Sequence, residues 1–172
     1  MNMKKTTLTS SVGGGFLLWT ALAFAQDCQL NQPATTPDQR FVDHRNGTVS
    51  DTQTGLMWKK CLEGQQAIAC YGRPSQMSWE SAAQQAQLVS AQRFAAQDGW
   101  RLPTVNELGS LIEKTCSNPS INLNIFPNTP ALSVWTMEQS GANAWSVDFS
   151  NGRPFQSLLA GGKYVRLVRD AR

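Results

Sequence analysis

The chain has 172 residues, of which 41% are hydrophobic and 16% are charged, with 15 Lys and Arg against 12 Asp and Glu. This length and composition predict one globular domain with a core of its own. A formal charge of +3 provides no basic stripe for nucleic acid, which we therefore do not expect as a partner. A single histidine excludes a multi-histidine metal centre, and four cysteines are too few for two four-cysteine zinc sites. We expect neither a bound metal nor a cofactor.

Residues 1–25 have the pattern of a secretory signal peptide. An apolar stretch of about 12 residues follows Lys4 and Lys5, and Ala23-Phe24-Ala25 is an A-x-A cleavage signal. The stretch is too short to span a membrane, which takes about 20 residues; a retained N-terminal anchor is the alternative. We expect the mature protein to begin at Gln26, to have no membrane span and to be exported to the periplasm or the cell surface.

All four cysteines lie in the mature part of the chain: Cys28, Cys61, Cys70 and Cys116. In an oxidising compartment, an even number of cysteines is typical of a disulfide framework. Four cysteines allow three connectivities, of which we favour Cys61 with Cys70, closing a short loop, and Cys28 with Cys116, tying the N-terminal tail to the middle of the domain. A zinc site is the alternative, but the sequence has no CxxC pair to support it.

The first part of the mature chain predicts an extended tail followed by a small β meander. Residues 26–39 are polar and proline-containing, which indicates a tail pinned at Cys28, and residues 40–172 form the domain. Asn46-Gly47 is a hairpin signal, and residues 51–55 predict a second turn. The strands of the meander are expected at Phe41-Val42, at Thr48-Val49 and at Leu56-Met57-Trp58.

Two helices are predicted in the middle of the chain. Ser78 is placed to cap a helix from about Trp79 to Ala96, which Asp98-Gly99 ends. Thr104 and Glu107 have the spacing of a capping box, so that a short strand leads directly into a second helix. This second helix is marked by Pro103 before the cap and by Leu108, Leu111 and Ile112 on its apolar face.

The second half of the chain is rich in loops and strands. An Asn- and Pro-rich loop of about 15 residues follows Cys116 and ends at Pro130. Strands are expected at Ser133–Thr136, at Trp145–Phe149 and, as a last alternating strand, at Tyr164–Arg169, with a hairpin turn at Asn151-Gly152. The order of elements predicts an α+β fold in which two helices pack on small antiparallel sheets.

The sequence contains no constellation that specifies catalysis. The only histidine, His44, lies beside a predicted turn, no serine lies in a G-x-S-x-G elbow, and the carboxylates lack the spacing of a glycosidase pair. We therefore expect a protein that is not an enzyme. The mature tryptophans occupy apolar-patterned positions and are expected in the core: Trp58, Trp79, Trp100, Trp135 and Trp145. Arg101 is expected to form a structural ion pair with Asp148 or Glu107.

Five short motifs, in this order, resemble the family typified by the C-terminal domain of the Legionella collagen-like adhesin. They are Phe41 with NGTVSDTQTGLMW at 46–58, Trp79, GWRLPTVNEL at 99–108, WSVDF at 145–149 and VRLVR at 165–169. The resemblance runs from Arg40 to Arg169 and implies a C-type-lectin-like fold. It also marks a set of structural motif residues: Trp58, Trp100, Arg101, Pro103, Glu107, Trp145 and Asp148.

The resemblance implies function in outline. The type member is an adhesin whose C-terminal domain is associated with binding sulfated glycosaminoglycans and with trimerisation through a collagen-like stalk, which this sequence lacks. The calcium motifs of C-type lectins, Glu-Pro-Asn and Trp-Asn-Asp, are also lacking, so calcium-dependent sugar binding is not expected. The sparse candidates for ligand binding are Lys59, Lys60, Arg153, Lys163, Arg166 and Arg169, the last two of which are alternatively solvent-facing strand positions.

The leading hypothesis is an exported, non-enzymatic binding or adhesion module. It would present the loops at Asn118–Pro130 and Asn151–Lys163 to a polysaccharide, sulfated or not, or to a surface protein. One alternative is a thiol enzyme of the formylglycine-generating type, because the Arg-Leu-Pro-Thr turn resembles that family, and it requires free cysteines. Another is a structural subunit of a pilus or secretion assembly. The sequence does not specify the oligomeric state.

Overall fold

A computed structural model describes residues 26–29 and 31–171. The predicted signal peptide, residues 1–25, lies outside this part of the chain. The strands are β1 (Asp27–Cys28), β2 (Phe41–Asp43), β3 (Thr48–Asp51), β4 (Leu56–Lys59), β5 (Cys116–Ser117), β6 (Ser133–Ser140), β7 (Asn143–Asp148), β8 (Arg153–Leu158) and β9 (Val168–Asp170). The α-helices are α1 (Trp79–Ala91) and α2 (Val105–Gly109). The fold is a mixture of two helices and small antiparallel sheets, as predicted from the element order.

The predicted meander forms one sheet with the end of the chain, in the order β2-β3-β4-β9. The register places Val49 opposite Trp58, and Trp58 opposite Val168. These three side chains are 0% exposed and belong to one core cluster with Leu108 and Phe126. The meander was predictable because each turn carries its own local signal, at Asn46-Gly47 and at residues 51–55.

The second sheet has the order β6-β7-β8 and lies between two layers of the core. Val134 and Val147 pack in the cluster that contains Trp58, whereas Trp135 and Ala144 pack in a second cluster with α1. Adjacent residues of β6 therefore point to opposite faces, as strand geometry requires. No helix in the described residues is long and apolar enough to cross a membrane.

The first predicted helix is shorter than expected. Ser78 caps it, accepting a hydrogen bond from the Ser81 backbone N–H, but α1 ends at Ala91 rather than Ala96. Arg93 then takes a left-handed conformation with φ 51°, and a 3-10 turn follows at Phe94–Ala96. Because the chain changes direction there, the Phe94 ring packs edge-on against Trp100, with ring centroids 5.8 Å apart.

The last predicted strand is also shorter, because the chain runs between the two sheets before it joins one of them. The Trp135 N–H donates to the Tyr164 carbonyl of this segment, and the Lys59 N–H donates to its Leu167 carbonyl. All four residues from Val165 to Val168 are buried. The predicted alternation from Tyr164 to Arg169 is wrong, since both faces of the segment are covered; only Val168–Asp170 is a strand.

Both predicted disulfides are present, Cys28–Cys116 and Cys61–Cys70, and no cysteine is free. The predicted tail pinned at Cys28 is part of the fold, because β1 pairs with β5 in a two-stranded sheet. Glu113, only 3% exposed, holds the tail from the other side. Its carboxylate accepts six hydrogen bonds, from the backbone N–H and the hydroxyl of Thr35, Thr36 and Thr115.

Candidate functional site

Arg101 pairs with Glu107, one of its two predicted partners, in a fork-to-fork ion pair. Its Nη1 and Nη2 atoms each donate to one Glu107 oxygen over 2.8 Å. Thr104 and Glu107 form the predicted capping box, and the hydrogen bond from Arg101 lowers the pKa of Glu107. The other predicted partner, Asp148, instead accepts from the Ser150 N–H in the β7–β8 turn. The Pro103 carbonyl accepts from Met137, which joins this turn to β6.

The tryptophans divide between the core and its margin. Trp58, Trp100 and Trp135 are buried as predicted, whereas Trp79 and Trp145 are only half-buried. Trp79 donates from Nε1 to the Thr136 carbonyl over 2.8 Å, which orients its ring against the second sheet. The core prediction therefore describes three of the five well.

Two of the predicted ligand-binding lysines are already held in ion pairs. The Lys59 ammonium lies 2.5 Å from Glu63, and the Lys60 ammonium lies 2.7 Å from Asp43. Lys60 is only 7% exposed, and the bond from Lys60 contributes to holding the pKa of Asp43 below its usual value against the opposing effect of burial. Lys60 therefore secures the β2–β3 hairpin, and its ammonium faces Asp43 rather than an external ligand.

Arg166 is wrong both as a ligand-binding residue and as a solvent-facing position, because its side chain is fully buried. It donates to the carbonyls of Lys59 and Lys60 and to the Thr129 hydroxyl. Its guanidinium also lies 4.8 Å from the centre of the Phe126 ring. Burial lowers the pKa of Arg166 to about 9. Arg166 thus fastens the Asn118–Pro130 loop to the end of β4.

The remaining predicted cations have different environments. Lys163 lies over the Phe155 ring, 5.4 Å from its centre, and Arg169 donates to the Asp98 carbonyl over 2.7 Å. Arg153 is exposed at the start of β8. It forms no ion pair with any residue in the described part of the chain. Of the candidates chosen from the sequence, Arg153 is the one best placed to meet an external anion.

The two segments predicted as display loops meet in the structure, although only one of them is a loop. Residues 118 and 120 of the Asn118–Pro130 loop donate their N–H groups to the carbonyls of Ser150 and Phe149, beside the β7–β8 turn. The segment Asn151–Lys163 was wrong as a loop, because Arg153–Leu158 forms the edge strand β8. The alternating pattern there is weak, because Pro154 lies within the strand and Gln156-Ser157 separates Phe155 from Leu158.

A groove of about 320 Å³ lies at this junction, and we call it the basic groove. Two exposed cations line it, Arg153 and Lys114, together with Asp27. Like Arg153, Lys114 has no carboxylate partner within residues 26–29 and 31–171. The other residues that line the basic groove are Cys28, Gln29, Thr115, Cys116, Ser117, Ser120 and Asn151.

Sequence reasoning missed Lys114, because no local motif connects it with Arg153. Its position depends on Glu113, which fixes the chain between α2 and β5. Burial alone would raise the pKa of Glu113, but the hydrogen bonds from Thr35, Thr36 and Thr115 outweigh this effect and lower it to about 2. The spacing of Lys114 from Cys116, whose bridge was predicted, is the only signal that could have placed it near the tail.

The model of the Lcl C-terminal domain family matches residues 47–169, which include the meander strands β3 and β4, both α-helices, the second sheet and Arg153. No curated protein gives a significant match to the chain.

Proposed function

Since the chain belongs to the Lcl C-terminal domain family, we propose that it is an exported, non-enzymatic binding module that holds an acidic polysaccharide in the basic groove. The observation that carries the proposal is the pair of exposed cations, Lys114 and Arg153, which line one polar groove without a carboxylate partner in the described residues. Such a pair of cations can bind a sulfate or carboxylate group on a sugar.

The chemistry of the two side chains favours an anion over a neutral ligand. A guanidinium presents a planar fork of N–H donors to sulfate or carboxylate oxygens, and an ammonium adds a mobile point charge. Asp27 contributes a negative charge to the same lining, so that the groove is only moderately basic. Because both cations are exposed to solvent, their attraction for the ligand is screened by salt.

Several observations support the exported and rigid character of the module. Both pairs of cysteines form disulfides, which persist in oxidising compartments. The bridge at Cys116 and the network around Glu113 hold Lys114 from both sides. The sheets, two helices and disulfides agree with a C-type-lectin-like fold, which we retain as part of the proposal.

The test of the ligand is the affinity of the mature protein for heparin, measured by titration calorimetry at low and at high salt. We expect the double variant K114E/R153E to bind at least about tenfold more weakly than the wild type at low salt. The charge control is Arg73→Glu, an exposed residue outside the groove. Unchanged heparin affinity in the double variant, or an equal loss in the control, would contradict the proposal.

The non-enzymatic part of the proposal is tested by the state of the cysteines. A thiol enzyme needs a reactive cysteine, whereas the structure has all four in bridges. We expect mass spectrometry of the unreduced mature protein, with and without an alkylating reagent, to detect no alkylation. A free thiol whose replacement abolishes a measured reaction would favour the enzyme instead.

A further inference from the structure

A second recess, separate from the basic groove, lies beside the shorter disulfide. Its volume is about 300 Å³, and we call it the loop cleft. The Cys61–Cys70 loop forms one wall, the β2–β3 turn forms another, and Phe94 closes the end. A volume of this size is at the lower limit of small-molecule sites, which run from about 300 to 1,000 Å³.

The apolar side of the loop cleft is formed by Phe94 and Ile68, with Leu62 and Ala67 beside them. Ile68 is 47% exposed, although it is a large aliphatic residue. The Phe94 ring rests against the backbone of the β2–β3 turn, because a Cβ atom on Gly47 would lie 2.9 Å from Cζ of the ring. Gly47 also has a φ of +89°, so that a side chain there would be strained as well as crowded. The absence of a side chain at Gly47 therefore allows the Phe94 ring to pack against this turn.

The polar side contains an ion pair that is almost completely buried. The Lys59 and Glu63 side chains are 12% and 5% exposed, and their charged atoms are 2.5 Å apart. The second Glu63 oxygen accepts from Gln85 over 2.9 Å. The Lys59 ammonium also lies 4.3 Å from the centre of the Phe94 ring. The opposite charges of Lys59 and Glu63 compensate each other within the cleft.

Among the side chains that line the loop cleft, the hydrogen-bonding capacity that remains is mainly that of donors. An ammonium has three N–H groups, and Lys59 uses one of them on Glu63, each of whose oxygens already accepts a hydrogen bond. The side-chain Oδ1 atom of Asn46 accepts hydrogen bonds from the backbone N–H and the hydroxyl of Thr48. The Nδ2 atom of the same side chain has no partner in the described part of the chain. A ligand for this site must therefore offer an acceptor.

The balance of charge decides what kind of acceptor fits. An anionic ligand would lie close to the Glu63 carboxylate, whose charge is already compensated by Lys59, and burying a further charge there is costly. A neutral amide carbonyl avoids this cost, and a small methyl group beside it would cover Ile68. An aromatic face such as that of Phe94 suits the C–H face of a pyranose ring.

We propose that the loop cleft binds an N-acetylhexosamine unit, with the acetamido carbonyl accepting from Lys59 and Asn46 and the methyl group packing on Ile68. The site uses none of the residues that line the basic groove. It would add recognition of a neutral N-acetylated sugar to a module whose other groove takes acidic groups, and it stands whether or not that groove binds heparin.

The test is NMR titration of the ¹⁵N-labelled, disulfide-bonded mature protein with N-acetylglucosamine, and with glucosamine and glucose as controls. At about 20 mM, enough to detect a millimolar ligand, we expect only the N-acetylated sugar to shift the amide signals of Gly47, Gly64 and Ile68. Absence of these shifts, or equal shifts with glucose, overturns the proposal. Larger shifts with N-acetyl-lysine amide than with the sugar overturn it too, because they indicate a peptide ligand.

A variant pair assigns the binding to the cleft. Ile68→Asp should weaken the binding of N-acetylglucosamine at least about tenfold, without loss of folding, because the side chain is half exposed. Val42→Asp is the matched control, since Val42 is equally exposed, at 47%, and lies outside the cleft. Equal affinity of the two variants overturns the proposal. Heparin binding by I68D should be unchanged, which separates this test from that of the basic groove.

Discussion

The two disulfides close regions of very different kinds. Cys28–Cys116 joins residues 88 positions apart and lies in a region also held by the β1–β5 pairing and by the Glu113 network. Cys61–Cys70 joins residues only 9 positions apart. The loop that it closes lines a cleft, exposes Ile68, and has left-handed conformations at Ala67 and Cys70, with φ of 58° and 57°.

The difference shows how one kind of cross-link serves two purposes. The long-range bridge reinforces a region in which a buried carboxylate and six donors already determine the position of the tail. The short-range bridge closes a loop that is also held by the Gln66–Tyr71 pairing and by Glu63, and that offers the side chain of Ile68 to solvent. We therefore expect the first bridge to contribute mainly to the stability of the domain, and the second mainly to the shape of the loop cleft.

Removal of the long-range bridge should have the largest effect. By the loop-entropy model, a loop of this length stabilises the folded state by about 4.5 kcal/mol. The double variant C28S/C116S is therefore expected to lose about that much free energy of unfolding, measured by urea denaturation, and to weaken heparin binding because Lys114 is no longer held. A loss below about 1 kcal/mol would show that the Glu113 network alone fixes the tail.

Removal of the short-range bridge should cost less stability and change a different site. The same model gives about 2.7 kcal/mol for the loop closed by Cys61 and Cys70. We expect C61S/C70S to lose the response to N-acetylglucosamine while retaining its affinity for heparin, both measured by the titrations above. If heparin affinity falls as well, the two regions are not independent.

Replacement of Glu113 should have the smallest effect of the three, and one that depends on pH. In the folded protein the pKa of Glu113 is about 2, below its ordinary value of 4.5. The stabilisation from this carboxylate is therefore complete above pH 4.5 and is lost as the pH falls from there towards 2. Glu113→Gln should cost about 2 kcal/mol at neutral pH.

The same variant should show a weaker dependence of stability on pH between 4.5 and 2. Urea denaturation at several pH values measures this dependence, and Glu80→Gln, an exposed position on α1, is the control. A parallel pH profile for E113Q and the wild type would mean that other carboxylates account for the loss of stability at low pH. Asp51 and Glu107 are among them, because their pKa values are also lowered.

Local signals explain most of what the sequence could predict. The hairpin at Asn46-Gly47, the cap at Ser78 and the capping box at Thr104 and Glu107 each depend on residues a few positions apart. Both disulfides could be chosen because the alternatives were few. The Arg101 pair was narrowed to two partners, and the partner within the same local turn, Glu107, is the one that the structure contains.

The errors arise where distant segments decide the outcome. Arg166 lies in an alternating pattern that predicts a solvent-facing strand position, but contacts from Lys59, Thr129 and Phe126 enclose it. The helix ends at Ala91, and Phe94 beyond it packs beside the β2–β3 turn, more than 40 positions away in the chain. Lys114 and Arg153 share a groove only because β5 and the β7–β8 turn are brought together, which no spacing in the sequence reveals.

The buried Arg166 also has a consequence for the order in which the domain is assembled. Its partners at Lys59, Lys60 and Thr129 are all synthesised earlier than Arg166 itself. The contacts of Arg166 with Thr129 and Phe126 therefore form only after the final strand segment has arrived between the sheets. Since contacts between residues up to 107 positions apart form slowly, we expect the end of the loop, at Thr129, to become resistant to proteases late in refolding.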